Sequence, residues 1–231
     1  MKKNLTHIIF IVDRSGSMTS IAKDMIGGYN SFIQQQKQTP GECFVSFYQF
    51  DDIYETVFER VKLQDVKDLD AQTYSPRNST ALFDALGKTI DEYGKYLASI
   101  QEDERPERVL VVTITDGQNN ASREFAIAQV REKIKLQTET YGWDFVFLGS
   151  NIDAWDAGDT LGIARGATLQ FANCAGSVGA AFSSLSSKAS SYRVSVAKAS
   201  YAFDAGDLKK QDEFLDENLK VKNKQQQQTT T

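Results

Sequence analysis

Runs of consecutive apolar residues alternate along the chain with segments in which apolar residues recur every three or four positions. His7 to Val12 (HIIFIV), Val109 to Thr115 (VLVVTIT) and Phe145 to Leu148 (FVFL) show no polar alternation, as strands buried on both faces of a parallel sheet do. Cys43 to Phe50 and Tyr54 to Arg60 read as two more strands, and the short Asp51-Asp52 link makes them an antiparallel hairpin. Ala167 to Phe171 reads as a last strand. Between these, helix spacing runs over Ser20 to Gln38 (Ile21, Met25, Tyr29, Phe32, Ile33), from Ala81 (Leu82, Leu86, Ile90, Tyr93), over Phe125 to Leu136, and briefly over Ala154 to Leu161. This alternation predicts an α/β fold: a Rossmann-like, doubly wound, mostly parallel sheet with one antiparallel edge strand and helices on both faces.

A narrower apolar stripe follows, at Val178, Phe182, Leu185, Ala189, Tyr192, Val196, Ala199 and Phe203. It predicts one helix over about 176–204. Its first half is expected to close the sheet, and a partner-binding or self-associating stripe is the sharper alternative. The main domain is placed at 1–205. A charged, Gln/Thr-rich tail follows at 206–231, with a weak helix over Asp207 to Lys222 and disorder from Asn223 onward.

Composition narrows the function classes. Of 231 residues, 41% are hydrophobic and 25% charged, with a formal net charge of −5. That is enough apolar material for a core and too acidic a balance for a general nucleic-acid binder. No apolar run approaches the roughly 20 residues of a membrane helix. Cys43 and Cys174 have no metal spacing and read as buried thiols of a reduced, cytoplasmic chain. His7, the single histidine, reads as structural.

In a doubly wound sheet, sites lie beyond the C-terminal ends of the strands where strand order reverses. Three segments fall there: Asp13-Arg14-Ser15-Gly16-Ser17 after the first strand, Asn78-Ser79-Thr80 opening a helix, and Thr115-Asp116-Gly117 after the strongest strand. Asp13, Ser15, Ser17, Thr80 and Asp116 together offer only oxygen, which suits hard dications rather than zinc or copper.

These residues resemble the von Willebrand factor type A (vWA) domain family. Asp13-x-Ser15-x-Ser17, Thr80 and Asp116-Gly117 match its metal-ion-dependent adhesion site (MIDAS) in order, and the resemblance covers about residues 5–175. It implies that Ser15, Ser17 and Thr80 bind a divalent cation directly while Asp13 and Asp116 act mostly through water. Mg²⁺ is expected, with Mn²⁺ or Ca²⁺ as alternatives, and a Glu or Asp of a protein partner completes the coordination. The implied function is a non-enzymatic protein-binding module of stand-alone bacterial or phage type, with no nucleic acid or membrane as partner and an open oligomeric state. The alternatives are a scaffold acting through the Ser-rich helix and a metal-dependent hydrolase with Asp13 as nucleophile.

The family often has glycine just before the threonine, where Asn78-Ser79 stand here. Arg14 reads as a solvated charge or a contact to the partner's carboxylate, and Asp51-Asp52 as a turn with solvated carboxylates. Asp144, Asp153, Asp156 and Asp159 form a loose acidic group explained by helix N-termini, with a second metal as the alternative. Gly27-Gly28 is expected to permit close packing. Asn119-Asn120 either borders the metal or is a loop before a helix cap at Ser122.

Overall fold

The computed structural model describes residues 1–150, 153–195 and 200–228, with side chains described through residue 217. In chain order the elements are β1 (Lys2–Asp13), α1 (Ala22–Lys37), β2 (Glu42–Phe50), β3 (Tyr54–Lys62), α2 (Leu82–Ser99), β4 (Pro106–Thr115), α3 (Ile127–Tyr141), β5 (Asp144–Ser150), α4 (Ala154–Leu161), β6 (Thr168–Phe171), α5 (Ala175–Val194) and α6 (Ala205–Gln228). The strands form one sheet in the order β3-β2-β1-β4-β5-β6. Every pairing is parallel except the β2–β3 hairpin, so the expected Rossmann-like fold with an antiparallel edge is the fold observed.

The unbroken apolar runs are central strands because helices cover both of their faces. Phe10 turns one way, its ring centroid 5.1 Å from Tyr29 and from Phe32 of α1. His7, of opposite parity, turns the other way to Tyr93 of α2. Burying one such phenylalanine contributes about 2–3 kcal/mol. The α5 helix closes over α1 at Gly28, where an added Cβ would stand 2.2 Å from the Phe182 ring, whereas Gly27 faces open space. Close approach therefore requires only the second glycine of that pair.

The helix expected to continue through Phe203 instead ends at Val194. Continuing it would have carried Tyr201 and Phe203 past the sheet. Instead both are buried, with Tyr201 N donating to Asp144 Oδ1 at 3.0 Å and Phe203 N to the Gly166 carbonyl at 2.7 Å. Val196 and Ala199 of the stripe lie outside the described residues. Val178, Phe182, Leu185, Ala189 and Tyr192 are all buried in the protein's own core, so these positions leave no free stripe for a partner. Beyond Phe203, α6 lies against α5, with Phe214 beside Gly176 and Gln211 bonded to Ser177. Its backbone stays helical to Gln228, past the point where the composition predicts disorder.

The layout positions a site. The chain leaves β1 towards β2 on one side and returns through α2 to β4 on the other, so strand order reverses between β1 and β4. The C-terminal ends of these two strands are Asp13 and Thr115.

Candidate metal centre

Both oxygens of the Asp13 carboxylate, fully buried at the end of β1, accept hydrogen bonds. Oδ1 takes the Ser15 main-chain N–H at 2.6 Å and Oδ2 the Thr115 hydroxyl at 2.5 Å. The first bond curls the chain so that Ser15 and Ser17 project together, their Oγ atoms 3.0 Å apart. The Ser17 hydroxyl in turn donates to Asp116 Oδ1 at 2.6 Å. Thr80 stands across Gly117: a Cβ on that glycine would lie 3.4 Å from Thr80 Oγ1 and 3.8 Å from Ser17 Oγ. Thus all five positions singled out in the sequence converge at the strand-order switch.

The electrostatics suit a cation. Burial pushes the Asp13 pKa up to about 6, against the pull of its Thr115 and Ser15 hydrogen bonds, and the Asp116 charge adds to the rise. Burial also raises Asp116, with the Ser17 hydrogen bond opposing. Asp116 Oδ2 is buried and accepts no hydrogen bond. A buried, unpartnered carboxylate oxygen is costly unless something positive meets it. This cluster of two carboxylates and three hydroxyls offers only oxygen, a donor set suited to a hard dication.

Thr80 is held from both sides. Its N–H donates to Asn120 Oδ1 at 2.9 Å, and its carbonyl accepts from the N–H groups of Asn120 and Ala121, both at 3.0 Å. Asn119 and Ser122 receive the free N–H groups at the start of α2, Ser122 Oγ taking those of Phe83 and Asp84 at 3.0 and 3.1 Å. The expectation that Ser122 caps the following helix is therefore corrected: it serves the neighbouring one. Asp84 completes the clasp by accepting from Arg123, Glu124 and Phe125 N–H.

Arg14 and Asp51 also differ from expectation. Arg14 is not a solvated charge: it is buried, with Nε 3.1 Å from Asp51 Oδ2 and Nη2 2.6 Å from Glu55 Oε2. Asp51 is not a solvated turn residue: it is fully buried, and Arg77 Nε donates to its Oδ2 at 2.7 Å. Burial pushes the Asp51 pKa up, but the Arg77 hydrogen bond, the Ile53 N–H and the Arg14 charge outweigh it and hold the carboxyl below its usual range. Strand register makes this pair: Asp51 follows Phe50, which ends the strand beside β1 and pairs in register with Asp13. Asp52 does stay exposed, accepting from Asn78 Nδ2 at 2.9 Å. Asn78 occupies the left-handed region, φ 58°, where glycine is easiest and asparagine is tolerated, and its carbonyl accepts the Gly16 N–H at 3.1 Å.

The acidic group after β5 does not assemble. Asp153 caps α4, Asp159 pairs with Arg165, and Asp144 accepts from Tyr192 and Tyr201.

A family model described as von Willebrand factor type A domain matches residues 7–154. The chain belongs to the vWA domain family. None of the curated proteins matches it. Among solved structures, proximal thread matrix protein 1 from the mussel byssus is 16% identical at a TM-score of 0.54, over 80% of this chain and 46% of that one. A von Willebrand factor type A protein from Catenulispora acidiphila is 15% identical at 0.52, over 80% of this chain and 42% of that one. The ArnB paralog VWA2 from Sulfolobus acidocaldarius is 16% identical at 0.50, over 80% and 44%. These likenesses are of fold, and the match spans less than half the length of each neighbour. The mussel protein has also been solved with a zinc-occupied MIDAS motif.

Proposed function

We infer that this vWA chain is a non-enzymatic protein-binding module. In this reading Asp13, Ser15, Ser17, Thr80 and Asp116 hold a divalent cation, Mg²⁺ in the first place, and an acidic residue of a partner protein is captured there. The observation that carries the reading is the Asp13–Ser15–Ser17–Asp116 chain of oxygens, open to solvent at Ser17, which ends in a buried, unpartnered carboxylate oxygen. A bound dication supplies a hard positive centre for an incoming carboxylate. The chain's own part is to pre-assemble the oxygens, with Asp13, Ser15, Thr80 and Asp116 buried and Ser17 at the open face.

Catalysis has less support. Asp13 as a nucleophile would need a free, accessible oxygen, and both of its oxygens are buried and accept hydrogen bonds. His7 lies in the middle of β1, six residues before Asp13, bonded to Tyr93 and Ser46, and cannot act as a base for Ser15 or Ser17. The scaffold alternative loses the stripe on α5 that it needed. No helix among the described residues is long and apolar enough to cross a membrane. We place the protein in the cytoplasm, as a vWA protein of bacterial or phage type. Residues 1–205 form its vWA unit and 206–231 an appended segment.

The test is affinity capture from the source organism's extract in Mg²⁺ and in EDTA, with Asp13→Ala as control. A protein retained only by the wild type in Mg²⁺ is the site-directed partner. Capture that survives both EDTA and the substitution contradicts the reading.

A second expectation concerns Gly117. Its backbone accepts a side chain and the space allows a methyl group in ordinary contact, so Gly117→Ala should fold normally. That methyl touches both the Thr80 and Ser17 hydroxyls, so Mn²⁺ affinity should fall about tenfold, or about 1.4 kcal/mol. Water-proton relaxation during an Mn²⁺ titration measures it, and unchanged affinity would put the cation elsewhere.

A further inference from the structure

Thr80 comes from a loop with no covalent or strand connection to the Asp13–Ser17 loop, so its distance from the serines must be set by something else. Main-chain bonds join the two segments, the Gly16 N–H to the Asn78 carbonyl among them, and Asp51, at the tip of the β2–β3 hairpin, meets both. Its carbonyl accepts the Ala81 N–H at 2.7 Å, one residue beyond Thr80. Its carboxylate orients that carbonyl. Oδ1 accepts the Ile53 N–H at 2.7 Å, while Oδ2 meets Arg14 Nε at 3.1 Å and Arg77 Nε at 2.7 Å. Each arginine belongs to one of the loops being joined. Arg14 follows Asp13 directly, and its main-chain N–H donates to the Phe50 carbonyl at 2.8 Å. Arg77 precedes Thr80 by three residues, and its main-chain N–H donates to the Arg14 carbonyl at 2.6 Å.

We propose that Asp51, clamped by Arg14 and Arg77, is the positioning residue that fixes the Thr80 loop against the Asp13–Ser17 loop and so sets the cation affinity of the site. The proposal rests on the metal reading given above. Asp51 need not touch the cation. It acts by holding three loop segments in one register, and it lies outside every motif position that defines the site. An asparagine at 51 cannot satisfy this geometry. With Oδ1 kept on the Ile53 N–H, its NH₂ group faces the Arg77 Nε donor and the Arg14 charge. Flipped, it faces the Ile53 donor instead. Either way the turn must shift, and the Ala81 N–H moves with it.

Two variants separate positioning from simple charge. Asp51→Asn removes a negative charge near the site and Arg77→Gln a positive one. Acting through charge alone, they move Mn²⁺ affinity in opposite directions. Acting through position, both weaken it. The expected result is about a tenfold loss for Asp51→Asn and a smaller loss of the same sign for Arg77→Gln, read by Mn²⁺ titration well below the melting temperature of each variant. In metal-free protein, hydrogen exchange at the Ala81 amide should also speed up about tenfold in Asp51→Asn. Arg77 is half-exposed, so its variant will fold even if the buried substitution does not. A Leu185→Ala variant, destabilised in the core of α5, should keep wild-type affinity.

Unchanged or tighter binding in Arg77→Gln overturns the proposal, as does wild-type affinity in a folded Asp51→Asn. A Leu185→Ala protein that loses affinity equally also overturns it, since the effect would then be general loosening. Wild-type protein that binds no Mn²⁺, or Asp13→Ala that binds it fully, is a different failure: it removes the metal reading and the proposal with it.

Discussion

Asp13→Asn should reduce Mn²⁺ affinity by about a hundredfold and at the same time make the metal-free protein more stable at neutral pH. The two effects have one cause. Asp13 is fully buried, its neighbour Asp116 is a second carboxylate, and burial lifts its pKa to about 6. The usual carboxylate value of 3.8 applies to the unfolded chain. Because the folded value is the higher one, the native state binds more protons than the unfolded state between these limits. The Asp13 contribution to metal-free stability is therefore greatest below about pH 4 and is lost as pH rises through 6. The gap between 3.8 and about 6, at about 1.4 kcal/mol per pH unit, amounts to roughly 3 kcal/mol by pH 7.

Asparagine at this position removes the charge and can keep the hydrogen bonds. Its Oδ1 accepts the Ser15 N–H and its NH₂ donates to the Thr115 hydroxyl, which can itself turn to the Gly117 carbonyl already 3.1 Å away. Urea unfolding in chelator, at several pH values from 4 to 7, should show the two proteins nearly equal at the acid end. The variant should draw ahead towards neutrality. A difference that does not change with pH would mean that Asp13 is not a strained carboxylate in the metal-free state.

Strand assignment was legible because its signal is local, and the convergence of Asp13, Ser15, Ser17, Thr80 and Asp116 was expected from the strand ends they follow and from the resemblance to a family motif. An unbroken apolar run such as Val109 to Thr115 can hardly be anything but a central strand, and Asp13, Ser15 and Ser17 sit within one turn of the chain at its partner's end. Arg14 and Asp51 were not legible as a pair. Each carries a charge that is ordinarily solvated, and only the register Asp13–Phe50 brings the hairpin tip beside the first loop. Asn119 and Ser122 were misread for the same reason: their acceptors face the N-terminus of a helix that precedes them by some forty residues, whereas local spacing points to the helix that follows. The end of α5 was hidden by a stripe that continued at helical spacing. On either side of its end, Tyr192 and Tyr201 are both held by Asp144 of β5. In each case the missing information was a contact between distant segments of the chain.

The middle of β1 carries a buried titratable group of opposite effect, and the second large expected result concerns it. His7 Nδ1 lies 2.6 Å from the Tyr93 hydroxyl and Nε2 lies 2.9 Å from Ser46 Oγ, which also accepts the Arg60 N–H. Burial, and secondarily the Arg60 charge, lower its pKa to about 3 from 6.5. Here the folded value is the lower one, so the unfolded chain takes up the proton first. The His7 contribution is fully present above about pH 6.5 and is lost as pH falls towards 3. Over that window it changes stability by up to about 1.4 kcal/mol per pH unit, in the direction opposite to Asp13. The two slopes overlap between pH 4 and 6, so the wild type alone cannot reveal either. Asp13→Asn removes one of them, and chelator removes the pH dependence that cation binding would add. In that background, His7→Asn should be less stable at pH 7, through lost packing and hydrogen bonds, yet its stability should fall far less steeply from pH 6.5 to 4. Parallel pH profiles for the single and double variants would show that His7 is protonated in the folded protein. The Tyr93–His7–Ser46 arrangement would then have to be redrawn with a charged ring at its centre.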